Sequence, residues 1–582
     1  MPKKAIRRGS IVLGSWAVLC ACAAYAGSSP AALAKGHSPA VIYYSVRPNR
    51  YLTDHARDLK QWWDGFFFTV GSWEGAQSRF LGNSDAKPTE ASLIEEMARN
   101  VAALRRAGIT ENFLTVSFPE DGAWPSPTTL LSKDFSLGMA RDFAALGKVA
   151  RRLGFRGIAV DLEYPYVRYS ITHSVYTYQG YTVGDLLRAA RRQGYQNTAA
   201  LLDSFPSAAV LVLPGELATR PIGREYMIGL MQAMSSRNAP GGVHFATEYT
   251  YCLQDAVSNL AACRFIDCSI AAIAGPDVAK YWRRRGSVAP GMWPLHMVET
   301  GGKDYPKQSW VREVAELRQQ FAILRSAARR WVWVYSGQPI WYEWKPQLQD
   351  EYGLARPQIG RDDVDPARFR NMLVQRPSLP ANTPLWRQLS AVHAFDTGRL
   401  TPEQLCDVFG TPGRWWVLGL LALPDAAPQF AAQEAALSTP DPHTVYHGRD
   451  GAVRWFAVDN LDPRGAVSGR YHFDYRGIAN SSAHFACTIH STMRRTAVLN
   501  VAWDSGIIVR IGGKVIFASG KEPPQMLFRD KYRFARSIPF LLRKGASPLV
   551  VTCLNSQGRL SFALRITNRE GIPLTGVQFR LR

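Results

Sequence analysis

The chain has 582 residues, with Lys+Arg 69 against Asp+Glu 47 for a formal net charge of +22, and it is 46% hydrophobic and 20% charged. That length exceeds one ordinary domain, and that composition fills globular cores, which excludes a disordered or fibrous chain. The positive charge is spread along the sequence without a recognition motif beside it, so nucleic acid is not expected as a partner, whereas an acidic polymer or an anionic envelope suits the charge.

The first 26 residues read as an export signal. Lys3, Lys4, Arg7 and Arg8 form a basic start, Ile11 to Ala24 is apolar, and Ala24-Tyr25-Ala26 is an A-x-A cleavage site, with Ala32-Leu33-Ala34 as a second candidate. The mature chain is therefore expected to be secreted or periplasmic, and Leu19-Cys20-Ala21-Cys22 makes Cys22 a candidate lipid-anchor position. No later stretch is apolar for long enough to span a bilayer. Beyond the signal, Cys252, Cys263, Cys268, Cys406, Cys487 and Cys553 remain; an even count in an exported chain permits disulfides, and Cys487 with Cys553 is a candidate pair. No C-x-x-C pair or zinc-spaced His cluster appears, so no metal and no cofactor are expected.

Eight short apolar strands follow in chain order: Val41 to Val46, Gly65 to Val70, Phe113 to Phe118, Gly157 to Glu163, Ala209 to Leu213, Val243 to Glu248, Met292 to Glu299 and Trp331 to Ser336. Segments long enough for helices separate them. Leu93, Met97, Val101 and Leu104 line one helical face, and Trp310, Val314, Leu317, Phe321 and Leu324 line another. Strands alternating with helices imply a parallel sheet, and eight such units over 38–346 predict an α/β fold of the (β/α)₈ TIM-barrel type. No G-x-G-x-x-G follows the first strand, which argues against a dinucleotide fold. Residues 347–413 break the pattern and read as a helical connector. From 414 to 582 short alternating strands with turn signals at Asp504-Ser505-Gly506 and Gly512-Gly513 predict an all-β sandwich of jelly-roll type.

A TIM barrel carries its chemistry at the C-terminal ends of its strands. In the fourth strand the period of two puts Ala159, Asp161 and Glu163 on the interior face and Ile158, Val160 and Leu162 outside. Asp161 and Glu163 are then close like charges, which raise the pKa of one of them as a general acid requires. Glu163 is the candidate acid/base and Asp161 its tuning partner, against the alternative that Asp161 only supports the strand end. Glu299, ending the seventh strand, and Glu248, ending the sixth, compete as the second carboxylate, and Glu216 follows the fifth. A separation from Glu163 of about 5 Å would mean retention of configuration and about 6.5–9.5 Å inversion. Tyr44, Trp73, Tyr164, Tyr249, Tyr335 and Trp341 lie near the same ends and are candidate sugar-binding aromatics, whereas Trp331 and Trp333 read as packing within a strand and His244 as a packing residue. No Ser-His-Asp order or G-x-S-x-G elbow is present, so acyl transfer is not expected.

Gly157-Ile158-Ala159-Val160-Asp161-Leu162-Glu163 resembles the fourth-strand signature of family 18 glycoside hydrolases, the chitinase group, which ends D-x-D-x-E. Asp161 and Glu163 match its last two acidic positions, and Ala159 stands where that family has the first aspartate. A glutamate on the fourth strand and another on the seventh also resembles the largest clan of retaining barrel glycosidases, although Leu162-Glu163 replaces its Asn-Glu. Trp503-Asp504-Ser505-Gly506 through Ile511-Gly512-Gly513-Lys514-Val515-Ile516-Phe517 resembles the hairpin of galactose-binding-like jelly rolls appended to glycosidases, with Ser561 to Ile566 similar to that fold's closing strand. The resemblances imply an exported glycoside hydrolase acting on a carbohydrate, an acidic one included. The alternative is a non-catalytic polysaccharide-binding or envelope protein on a degenerate glycosidase barrel.

Overall fold

The computed structural model describes residues 38–69, 88–117, 131–162, 182–213, 221–251, 256–294, 314–336, 340–356, 366–375, 385–396, 398–423, 440–449, 451–468, 480–504, 506–520, 534–555 and 560–581. The signal at 1–26, Cys252, Trp73, Glu163, Tyr164, Glu216 and Glu299 lie outside them.

Eight parallel strands close on themselves in chain order: β1 (Ala40–Val46), β2 (Gly65–Thr69), β3 (Phe113–Ser117), β4 (Gly157–Asp161), β5 (Ala209–Leu213), β6 (Val243–Thr247), β7 (Ser287–Met292) and β8 (Trp331–Tyr335), with β1 paired to β8. Among the described residues the helices between them are α1 (Arg50–Asp54), α2 (Ala56–Leu59), α3 (Glu90–Arg106), α4 (Lys133–Leu153), α5 (Val183–Ser204), α6 (Pro221–Ser236), α7 (Ala256–Ile273), α8 (Pro276–Arg285) and α9 (Val314–Ala327). The chain is thus a TIM barrel. The helix starts are specified locally: Thr89, Ser132 and Thr182 accept from the third residue of α3, α4 and α5, and Thr182 closes a capping box with Asp185.

The strand period divides the core in two. Ile158, Val160, Val210 and Val212 pack outward against the helices. Ala159, Ala209, Leu211 and Ala246 face inward with Ile42, Phe67, Phe113, Trp331 and Trp333. Filling is lopsided: indoles and phenyl rings from β8, β2 and β3 reach across to alanines on β4 to β7. Packing density demands this size complementarity. At Gly291 a Cβ would stand 2.7 Å from both the Trp333 and Tyr251 rings, so a hydrogen there admits two aromatics.

The seventh strand corrects the sequence expectation. It runs Ser287–Met292, so Glu299 is not its last residue but lies seven positions beyond its end. Pro290 and Gly291 inside it disguise it as a turn. Pro290 pairs with Thr247 of β6, while pairing with β8 begins only at Gly291, so on the β8 side no ladder bond calls for the N–H it lacks.

Helices α10 (Gln347–Tyr352), α11 (Pro366–Gln375), α12 (Trp386–Asp396) and α13 (Pro402–Val408) follow. From β9 (Arg414–Ala422) the chain is antiparallel. Strands β10 (Tyr446–Gly448) and β11 (Gly451–Val453) form a small ribbon. β12 (Phe456–Asp459), β9, β14 (Ser481–Ser491), β19 (Gly545–Asn555), β16 (Gly506–Ile511), β17 (Lys514–Ala518) and β21 (Val577–Arg580) make one sheet. β13 (Ala466–Ser468), β20 (Ser561–Thr567), β15 (Arg495–Trp503) and β18 (Arg536–Leu542) make another. The two sheets share a core in which Phe562 of the second meets Trp415 and Phe485 of the first, with ring centroids 5.6 and 5.1 Å apart. Cys487 and Cys553 are free and buried, contrary to the candidate pairing. They sit on paired strands, but Cys553 faces Ala483, four residues along from Cys487 and so about 14 Å away, too far for a bridge.

This β region is bolted to the barrel by arginines. Arg565 donates to Ser258 Oγ on α7 at 3.0 Å. Arg464, held bidentately by Asp462 at 2.8–3.1 Å, lies over the rings of Tyr249 and Phe265 at 4.0 and 4.1 Å.

Candidate active site

The barrel's two ends differ in chemistry. At the N-terminal end His244 is fully buried, with Nδ1 2.8 Å from Ser287 Oγ, Nε2 3.0 Å from the Gly241 carbonyl, and its ring edge-on to Trp331 at 4.4 Å. Burial pushes its pKa down to about 3, so it stays neutral. Trp331 Nε1 donates to Glu111 Oε2 at 2.8 Å, and Arg330 stacks over Trp331 at 4.6 Å. This end is a closed structural plug, and His244 packs there as its sequence context suggests.

The C-terminal end is where the interior carboxylate Asp161 emerges. Inward-facing Ala159 is fully buried, and Asp161, two residues on at the end of β4, is half-buried and accepts from Tyr44 Oη at 3.0 Å. Aromatic rings stand around this pair. Tyr44 lies 5.8 Å from Tyr335 and 5.9 Å from Trp333. Tyr251 stacks on Tyr335 at 5.9 Å and meets Trp293 at 5.6 Å, and Trp293 meets Tyr335 at 5.0 Å. Tyr335 and Trp293 remain partly exposed, so the cluster presents ring surface at the mouth. Glu248 follows β6 by one residue, half-buried at the rim, where its carbonyl accepts from the Tyr251 N–H at 3.0 Å.

Several sequence candidates therefore come together, and others do not. Tyr44, Asp161 and Tyr335 share the mouth, and Glu248 stands at its rim. Tyr249 turns outward, against Phe265 of α7 at 5.6 Å and beneath Arg464, and is nearly buried. Trp341 is also buried outside the barrel, edge-on to Tyr51 and Tyr342. Neither joins the aromatic ring at the mouth, because each falls on the outward side of its loop. Trp293 was hidden from sequence reasoning by the misplaced seventh strand: once the strand ends at Met292, the next residue is at the rim. Among the described residues no group of three His, Cys, Asp or Glu is arranged to hold a metal ion.

No family model matches the chain, and no curated protein does. Solved structures similar to it include morphinone reductase, at 14% identity over 52% of this chain and 83% of that one with a TM-score of 0.30. A GH18 chitinase from Pseudoalteromonas aurantia is 12% identical over 51% of this chain and 93% of its own, TM-score 0.29. A GH10 xylanase from Thermobacillus composti is 13% identical over 58% and 97%, TM-score 0.30. Reductases and glycoside hydrolases thus stand side by side, and the likeness does not distinguish between their chemistries.

Proposed function

We propose that the protein is an exported glycoside hydrolase acting on a polysaccharide or oligosaccharide through carboxylates at the C-terminal mouth of its barrel. The observation that carries this reading is the inward-facing Asp161 at the end of β4, hydrogen-bonded to Tyr44 within a cluster of partly exposed aromatic rings. Rings with polar tips suit the faces and hydroxyls of sugars, and a carboxylate beside them suits proton transfer to a glycosidic oxygen. Glu163, two residues further with the same parity, is the proposed general acid, and the Tyr44–Asp161 pair fixes the charge beneath it. Glu248 is the preferred second carboxylate, since it follows β6 by one residue, whereas Glu299 lies seven positions beyond the end of β7. The C-terminal sheets are read as a galactose-binding-like jelly roll that presents the substrate.

One observation favours the rival reading of a glycan-binding protein without turnover: Ala159 fills the barrel interior where a third carboxylate would support catalysis. Incubating the purified protein with a panel of neutral and acidic polysaccharides, with chromatography of the products, separates the two. New reducing ends support the hydrolase. Retention on a glycan without cleavage supports the binding protein, and neither binding nor cleavage removes carbohydrate from the account.

A further inference from the structure

We infer that the N-terminal end of the barrel, opposite the mouth, is a docking face for an anionic lipid surface. Parallel topology brings the C-terminal ends of the helices to this end. Arg105 and Arg106 finish α3, Arg151 and Arg152 finish α4, and residues 283–285, all arginine, finish α8. All seven side chains are exposed.

Helix ends favour cations in their last turn, which accounts for one or two per helix. It does not account for the shortage of acids between them. Among the described residues no carboxylate pairs with Arg283, Arg284 or Arg285; Arg284 instead donates to Asn238 Oδ1. Arg151 donates to the Ser204 carbonyl at 3.4 Å and keeps its charge. Of the carboxylates at this end, Glu111 pairs with Arg156, Asp203 with Arg237 and Asp64 with Lys60, while Asp277 in the first turn of α8 is exposed and offsets one of the arginines. The result is a face with a large excess of positive charge on a chain whose charge is otherwise dispersed.

Chain continuity selects the partner. β1 enters the barrel at this same end, and Arg325 of α9 donates to Ser38 Oγ just before it. Thirteen residues, 25–37, separate Ser38 from the apolar run Ile11 to Ala24, which holds the candidate lipid-anchor residue Cys22. That length reaches about 45 Å when extended. A chain anchored through Cys22, or still joined to this segment during export, is therefore tethered at its arginine-bearing end, with the mouth at the opposite end of the barrel. Guanidinium groups pair bidentately with phosphate headgroups, and each cation near an anionic leaflet adds several-fold to binding.

The test is sedimentation of the full chain with vesicles of 70% phosphatidylcholine and 30% phosphatidylglycerol, against pure phosphatidylcholine. Two variants with equal charge loss are compared: Arg151→Gln/Arg152→Gln/Arg283→Gln/Arg284→Gln/Arg285→Gln on this face, and Arg494→Gln/Lys514→Gln/Arg543→Gln/Lys544→Gln/Arg569→Gln on the exposed β region. The expected result is preference for the anionic vesicles, weakened at least about tenfold by the first set and less than about threefold by the second. Hydrogen exchange of the unmodified chain on vesicles decides if the first variant fails to fold. Protection is expected in residues 107–112 and 154–156, the loops before β3 and β4, and not at the mouth. Equal loss in both variants, no preference for anionic vesicles, protection at the mouth instead, or binding to soluble polygalacturonate with none to vesicles would each overturn the inference.

Discussion

Tyr44 on β1 and Asp161 on β4 meet across the barrel, the phenol donating to the carboxylate at 3.0 Å, although 117 residues separate them in sequence. The bond ties opposite walls of the mouth and fixes the orientation of Asp161, two residues before Glu163 in the sequence. Tyr44→Phe removes the donor while keeping the ring. A hydrogen bond to a charged group contributes about 1.5–3 kcal/mol, so stability in urea should fall by about that much. A variant as stable as the parent would show that Asp161 is satisfied without Tyr44.

Gly291 is the one position in β7 where a methyl group has no room. Gly291→Ala drives a Cβ against Trp333, Tyr251 and the Thr247 carbonyl, and overpacking of this kind costs about 1–3 kcal/mol. The Tyr251–Tyr335 stack should shift with it. Near-ultraviolet circular dichroism checks the ring environment and thermal melting the stability.

Arg464 links the β region to the barrel beside Glu248. Its partner Asp462 is only 4% exposed, so Arg464→Ala strands a buried carboxylate and should cost about 3–5 kcal/mol. Arg464→Lys should rescue little, because an ammonium makes neither the bidentate pair nor the flat stack on Tyr249 and Phe265. In chemical denaturation the loss of this contact should also separate the transitions of barrel and β region.

Two buried histidines give the fold an acid-sensitive term. Burial lowers His244 and His484 to about 3 from 6.5. Between those values the unfolded chain binds protons that the folded chain does not. Their contribution is therefore complete above about pH 6.5 and is lost as pH falls toward 3. Asp407 opposes this: burial raises it to about 6, despite the lowering effect of Arg580, so its contribution is present at low pH and lost as pH rises from about 4 to 6. Two histidines with larger shifts outweigh one aspartate, so stability should fall on acidification below pH 6.5. His244→Gln or His484→Gln should flatten that slope, measured by denaturant midpoints from pH 7 to 4.

Much of this architecture is legible in the residues. The apolar runs of β1 to β6 and β8 match their strands to within a residue or two, and parity alone placed Ala159 and Asp161 inside with Ile158 and Val160 outside. What was not legible depends on tertiary relationships. β7 contains Pro290 and Gly291, and only its neighbours make it a strand. Tyr249 and Trp341 sit in loops, where no periodicity dictates direction, and both turn outward. Cys487 and Cys553 lie on neighbouring strands, but their register is set by the whole ladder from Ser481 to Ser491. Trp293 is a rim residue because β7 ends at Met292.

The central claim is that the β4 carboxylates move a proton on a glycosidic bond, and steady-state kinetics of Glu163→Gln on a polysaccharide the parent cleaves test it most directly. The substitution keeps size and removes the titratable group. General acid–base catalysis contributes roughly 10²–10⁴-fold, so kcat should fall by about that factor with KM little changed. Turnover equal to the parent's would contradict the assignment and with it the role given to the Tyr44–Asp161 pair.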